Sequence, residues 1–262
     1  MTSRARGEVI AALLVVCLFC AIVGPVWWQR WREGTLGSAT SAAPVPTPPL
    51  PGREAATVVR VSDGDTVVVR RGGREETVRI LNIDTPETHK RGTAVECLGP
   101  EATTALTRLL PKGTAVELAH DGPRRDRYGR TLAALWADGR LLSAEMARQG
   151  LTGAVVVSRA DTFLAPVAAA QQEAMTAHRG LYDPAIACTL AGQTRARVQA
   201  LQSDDVAKLR AAIAPAQALR QQLATPDSKI GAVQRQRHPA AWRQARVDEL
   251  DEALTRAART VR

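Results

Sequence analysis

Aromatic residues are scarce in this 262-residue chain, at 3%, with two tyrosines and two phenylalanines. A surface made of stacked aromatics, of the kind that grips single-stranded bases, has little material here. Cysteine is also rare. Of the four, Cys17 and Cys20 fall inside an apolar run, leaving Cys97 and Cys188 and excluding a many-bridged disulfide scaffold. No small residue precedes Cys17 or Cys20, where Val16 and Phe19 stand, so neither sits in a lipid-attachment signal. No convincing internal repeat exists, which sets solenoids aside. Acidic charge is in deficit, 26 Asp or Glu against 35 Lys or Arg, for a formal net charge of +9. That balance suits a polyanionic partner, nucleic acid or an anionic bilayer, without choosing between them.

What is present begins with a hydrophobic stretch from Val9 to Trp28, about 20 residues and long enough to cross a ~30 Å hydrocarbon core. Trp27, Trp28 and Trp31, with Arg30 and Arg32, resemble an interfacial belt. A cleaved signal peptide would carry a shorter apolar region with small residues directly after it. Bulky Trp-Trp-Gln-Arg follows instead, and the nearest small-residue site is near Ala42 and Ala43. Residues 1–33 therefore read as a membrane anchor, with a signal peptide as the rival. Residues 34–55 are a linker rich in Ser, Ala and Pro, with prolines at 44, 46, 48, 49 and 51. Such a segment is an extended spacer of ~3.1 Å per residue where it is polyproline-like.

Structure is expected from Ala56. Thr57–Ser62 and Thr66–Arg71 are valine-rich strands separated by Asp63-Gly64-Asp65, and Arg71-Gly72-Gly73-Arg74 is a hairpin turn leading into a strand from Glu76 to Ile83. Gly99-Pro100-Glu101 opens a helix whose apolar face is Ala102, Ala105, Leu106, Leu109 and Leu110. Strands follow near Thr114–Ala119 and Thr131–Ala137, then helices near Leu142–Gln149 and Asp161–His178. Five strands with a helix between the third and fourth is the order of an OB-fold barrel, so the fold class is α+β over residues 56–188. Residues 189–262 form a basic extension with 13 Lys or Arg against 7 Asp or Glu, +6 of the total +9. Loosely helical spacing predicts helices with a solvated face, broken at Pro215, Pro226 and Pro239. Cys97 and Cys188 can bridge if the domain is exported, closing a loop of about 90 residues worth ~4–5 kcal/mol in the chain-entropy model. Otherwise they are two buried thiols.

Chemistry is suggested by Asp65 after the Asp-Gly turn, Arg79 on the third strand, Asp84 and Glu87 in Asp84-Thr85-Pro86-Glu87, and Arg130 after Tyr128-Gly129. Two carboxylates with a backbone carbonyl suit a hard divalent cation. A third carboxylate can deprotonate a water, and two arginines can brace a phosphate through paired N–H groups. Each element alone has a bland reading: Asp-Gly-Asp is commonly a turn, Asp-Thr-Pro-Glu a strand end, and an isolated arginine surface charge. His89 and His120 read as solvated and take no role.

Together, in order, these segments resemble the staphylococcal nuclease (thermonuclease) family over roughly Thr57 to Tyr182. The resemblance is carried by Asp63-Gly64-Asp65-Thr66-Val67, Arg79-Ile80-Leu81, Asp84-Thr85-Pro86-Glu87-Thr88, Gly99-Pro100-Glu101-Ala102, Asp126-Arg127-Tyr128-Gly129-Arg130 and Ala147-Arg148-Gln149-Gly150-Leu151. It implies that Asp65 and Asp84 hold Ca²⁺ through their carboxylates and Thr85 through its carbonyl. It further implies Glu87 as general base, Arg79 and Arg130 on the phosphate, and Arg127 and Tyr128 beside the nucleotide. The implied activity is calcium-dependent endonucleolytic hydrolysis of DNA and RNA with little sequence preference, leaving 3′-phosphate ends. One departure stands out: where the family has tyrosines against the base, this chain has Ala154-Val155-Val156-Val157. The competing function is a membrane-tethered OB-fold module that grips nucleic acid without cutting it. The apolar segment implies a single-pass membrane protein with an extracytoplasmic domain, or else a secreted one.

Overall fold

A computed structural model describes residues 52–88, 94–225 and 237–261, all within one compact unit, Thr47–Arg262. The apolar run Val9 to Trp28 and most of the linker lie outside the described residues, as do His89 and Pro226. Among the described residues no helix is long and apolar enough to cross a membrane.

Strands β1 (Glu54–Asp63), β2 (Thr66–Arg71) and β3 (Arg74–Ile80) form an antiparallel meander. Its second turn uses Gly72 and Gly73, both at positive φ, the backbone that a two-residue hairpin matching strand twist demands. Val67, Val69, Val78 and Ile80 are fully buried in the core, and Val68 and Arg79 between them are buried as well. Helix α1 (Gly99–Leu109) follows with Pro100 in its first turn, burying Ala102, Ala105 and Leu106, most of the face the spacing predicts. Strands β5 (Ala115–Ala119) and β6 (Thr131–Ala137) complete the sheet. Parallel pairing of β3 with β6, Val78 opposite Thr131 and Ile80 opposite Ala133, closes the order β3-β2-β1-β5-β6 into a five-stranded barrel. Closure removes the unpaired edges that an open sheet would leave. A short β7 (Arg140–Leu141) extends β6 and leads into α2 (Leu142–Arg148).

Several boundaries differ from the sequence reading. Strand β1 starts at Glu54, two residues before the expected Ala56, because Glu54 to Thr57 pair with Leu118 to Ala115 on β5. The single strand expected from Glu76 to Ile83 is divided. Asn82 takes a left-handed φ of 64°, and its amide donates to the Ala160 carbonyl at 2.7 Å. Beyond that bend, β4 (Ile83–Asp84) pairs with β8 (Gly153–Ala154), a two-stranded ladder outside the barrel. Helix α3 (Leu164–Thr176) then runs to a tight crossing where Gly150 and Gly180 meet back to back. A Cβ on Gly150 would lie 2.1 Å from the Arg179 carbonyl oxygen, so no larger residue fits while Leu181 N–H bonds the Gly150 carbonyl at 2.8 Å.

The C-terminal extension forms α4 (Leu190–Ala200), α5 (Val206–Ala224) and α6 (Ala240–Thr260). Pro215 does not break it as expected; it sits inside α5. One lost hydrogen bond is outweighed by packing, since Leu209, Ala216, Leu219 and Leu223 of α5 bury against Val247, Leu250, Ala253 and Ala257 of α6. Thr225 caps the C-terminal end of α5, and Pro239 caps the start of α6, a boundary as expected. The extension thus has its own apolar core rather than only a solvated face. Cys97 and Cys188 are joined in a disulfide with Cα atoms 5.7 Å apart, tying the entrance of α1 to the start of the extension.

Candidate active site

Asp63 and Asp65 flank one tight turn but do different work. The Asp63 carboxylate accepts from the Gly64 N–H at 2.8 Å and from Thr103 on α1 at 3.1 Å, which fixes the turn. Gly64 allows the turn to lie against the next loop: a Cβ there would stand 2.7 Å from Thr85 Oγ1 and 2.9 Å from the Ala102 Cβ. This contact sets Asp65 beside Asp84, and the Thr85 N–H points to Asp65 Oδ2 at 3.4 Å. Asp84 is placed by the β4–β8 ladder and by its N–H bond to Thr152 Oγ1 at 3.0 Å.

Arg79 projects from β3 between the two carboxylates. Its Nη2 lies 2.9 Å from Asp65 Oδ2 and 3.4 Å from Asp84 Oδ1, while Nη1 donates to the Ile80 carbonyl at 2.7 Å. Burial pushes the Asp84 carboxyl above its ordinary value, a rise that Arg237 and Arg79 oppose and the Asp65 charge reinforces. Glu87 is held by its main chain, its N–H donating to Glu96 Oε2 at 2.9 Å and its carbonyl accepting from the Glu96 N–H at 3.0 Å. Asp65, Arg79, Asp84, Glu87, Arg127, Tyr128 and Arg130 line one open cleft of about 600 Å³.

On the far lip, Asp126 organises the arginine that the sequence singled out. Its carboxylate accepts from Arg130 Nε at 2.7 Å, from the Arg130 N–H at 2.9 Å and from the Tyr128 N–H at 2.9 Å. Burial would raise this carboxyl, but those bonds hold it below the usual carboxylate range. A depressed value means the restraint is complete above the ordinary carboxylate pKa and is lost as pH falls through the folded-state one. Sequence reasoning gave Asp126 no role, although a carboxylate four residues before an arginine across a turn is the available signal. Asp126→Asn is expected to lower kcat/KM about tenfold or more by letting the guanidinium drift, with thermal stability little changed. Unaltered steady-state cleavage would remove Asp126 from the site.

Tyr128 is exposed, with the Arg127 guanidinium 4.8 Å over its ring. Beside it lies a smaller hollow of about 310 Å³ lined by Arg79, Asp126, Arg127, Tyr128, Arg130, Leu132, Val157 and Ser158, so Val157 shares a wall with the tyrosine and the site's arginines. Thr85 contributes a carbonyl, which accepts from Arg237 Nη2 at 2.7 Å. Arg237, from the extension, was not foreseen. His120 is mostly buried, with Nδ1 2.8 Å from the Leu132 carbonyl oxygen, a structural position that is not solvated as the sequence suggested.

The donor set fits a hard cation. Two carboxylates already converge on a single cationic nitrogen, and all the ligating atoms on offer are oxygens. Among the described residues no group of three His, Cys, Asp or Glu forms a metal cage, so a site here rests on two carboxylates and a main-chain carbonyl.

The family model described as staphylococcal nuclease homologue matches residues 77–183. The chain is 40% identical over 97 residues to a thermonuclease of Staphylococcus hyicus, covering 37% of this chain and 57% of that protein. It is 33% identical over 126 residues to a thermonuclease of Staphylococcus intermedius, covering 48% of this chain and 74% of that protein. An endonuclease of Bacillus subtilis is 37% identical over 107 residues, 40% of this chain and 50% of that protein. The chain thus spans between half and three-quarters of the length of these relatives, and the extension beyond residue 183 lies outside the matched family region. A barrel closed in this order, with this cleft at its rim and a relative matched over most of its length, places the chain in the staphylococcal nuclease family.

Proposed function

We propose that the protein is a calcium-dependent endonuclease that hydrolyses phosphodiesters of DNA and RNA. The observation that carries this reading is the convergence of Asp65, Arg79, Asp84, Glu87 and Arg130 on one open cleft. Asp65, Asp84 and the Thr85 carbonyl would hold Ca²⁺, which when bound supplies positive charge to the non-bridging phosphate oxygens. Arg79 and Arg130 add N–H donors toward the same oxygens, strongest in a pentacoordinate transition state. Glu87 takes the proton from the attacking water; the new P–O bond forms as the bond to the 5′ oxygen breaks, and that oxygen leaves with a proton from solvent. The products are a 3′-phosphate and a 5′-hydroxyl. The thermonuclease and endonuclease relatives support the reading.

The test is cleavage of single- and double-stranded DNA and of RNA by the purified protein, with Ca²⁺ and with chelator, followed by mapping of product ends. Calcium-dependent cutting that leaves 3′-phosphates is expected. Binding without cutting under every divalent ion would replace the enzyme with a nucleic-acid-binding module.

Tyr128 and Val157 set how the base is received. Val157→Tyr is expected to tighten binding of a short DNA oligonucleotide to the chelated protein, by up to ~1–3 kcal/mol for one added stack. No gain in a fluorescence titration would show that the hollow does not receive a base. The protein is further proposed to work outside the cytoplasm, anchored by Val9 to Trp28. The Cys97–Cys188 bridge supports that placement, since disulfides persist in oxidising compartments. Protection of the domain from protease added to intact cells would count against it.

A further inference from the structure

Arg237 is a buried arginine whose guanidinium rests on candidate cation ligands. Its Nη2 lies 2.7 Å from the Thr85 carbonyl oxygen and 3.0 Å from Asp84 Oδ2, and its Nε lies 3.1 Å from Asp84 Oδ2. The third nitrogen, Nη1, pairs with Glu96 Oε2 at 2.6 Å. The arrangement is built in. The Arg237 carbonyl accepts from Tyr182 Oη at 2.8 Å and from Gln171 Nε2 at 3.0 Å. Those two side chains are themselves buried, and burial pushes the Tyr182 hydroxyl up to about 12. Next to it, the His238 ring packs 4.8 Å from Trp242 and 5.5 Å from Tyr182. The arginine side chain is only 4% exposed, so it has no open solvent to swing into.

We propose that Arg237, delivered by the C-terminal extension, sets the calcium affinity of the site low by occupying the Asp84–Thr85 donor pair. This rests on the calcium reading given above. A calcium ion ligated by those oxygens at ~2.3–2.6 Å would meet the guanidinium at close range in a poorly solvated setting, where like charges repel strongly. Calcium would therefore bind against that charge, which weakens the ion's hold, so cleavage would begin only where calcium is abundant. A mere buttress for the Asp84-Thr85-Pro86-Glu87 loop has the opposite signature: removing it would loosen the ligands and weaken calcium.

The experiment is calorimetric titration of the full chain with Ca²⁺, without nucleic acid, for wild type, Arg237→Gln and Arg237→Lys. Arg237→Gln is expected to lower the calcium Kd by about tenfold or more, with Arg237→Lys near wild type because the charge remains. An unchanged or higher Kd in Arg237→Gln overturns the inference. If the single neutral variant does not fold, Arg237→Gln/Glu96→Gln removes the pair together and is compared with Glu96→Gln alone. Tighter binding in the double variant supports the inference, and equal or weaker binding overturns it. If no form binds Ca²⁺ at millimolar concentration and cutting is indifferent to it, the calcium reading itself fails and takes the inference with it.

Discussion

Glu87→Gln is expected to reduce kcat by about 10²–10⁴-fold, the usual contribution of a positioned general base, while calcium affinity and thermal stability stay near wild type. The expectation is sharp because Glu87 is held by its main chain. Its N–H and carbonyl are both bonded to Glu96, and the substitution leaves those two main-chain bonds in place. Arg79→Lys tests the same transition state from the other side. Lysine keeps the charge between Asp65 and Asp84 but lacks the fork that reaches the Ile80 carbonyl with one nitrogen and the carboxylates with another. A drop of about 10²–10³-fold in kcat is expected. Single-turnover cleavage measures both. Retention of full activity by Glu87→Gln would assign proton removal elsewhere, and full activity in Arg79→Lys would reduce that residue to charge balance.

Breaking the Cys97–Cys188 bridge is expected to cost ~4–5 kcal/mol in the chain-entropy model, less if the reduced chain stays compact. For a unit of this size that corresponds to a fall in Tm of about 8–20 °C. The effect should exceed that of an average link because of what the bridge joins. Cys97 follows Glu96, which holds both Glu87 and Arg237, and Cys188 stands before the extension that carries Arg237. Chemical denaturation with and without reductant, and of Cys97→Ser, provides the measurement. A loss below about 1 kcal/mol would show that the helical extension is held by its own packing and that the bridge adds little.

How much of this was legible in the chain follows from the range of the interactions involved. Turn chemistry is local, so Gly72-Gly73 and Asp63-Gly64-Asp65 announced their hairpins, and the valine-rich runs between them announced strands. The helix at Gly99-Pro100 was equally plain, because proline in a first turn and an apolar face are short-range signals. The candidate site residues Asp65, Arg79, Asp84, Glu87 and Arg130 were expected from a family pattern of motifs at nearly fixed spacing, and all five line one cleft. Pro215 was misread because propensity describes an isolated helix, whereas α5 is held by burial against α6.

The sequence by itself determined the barrel's order of strands, the chemical kinds of group at its rim and the two cysteines available to bridge. Only the tertiary structure decided that Asn82 bends the chain to make a separate β4–β8 ladder. It also decided that Arg237, more than 150 residues along the chain from Asp84, closes over the Asp84 carboxylate and the Thr85 carbonyl. The physical reason is the same in each case. Periodicity and turn preference act over a few neighbouring residues and can be read in order. The placement of a charge against a distant carboxylate depends on how whole elements pack, and that leaves no local mark on the chain.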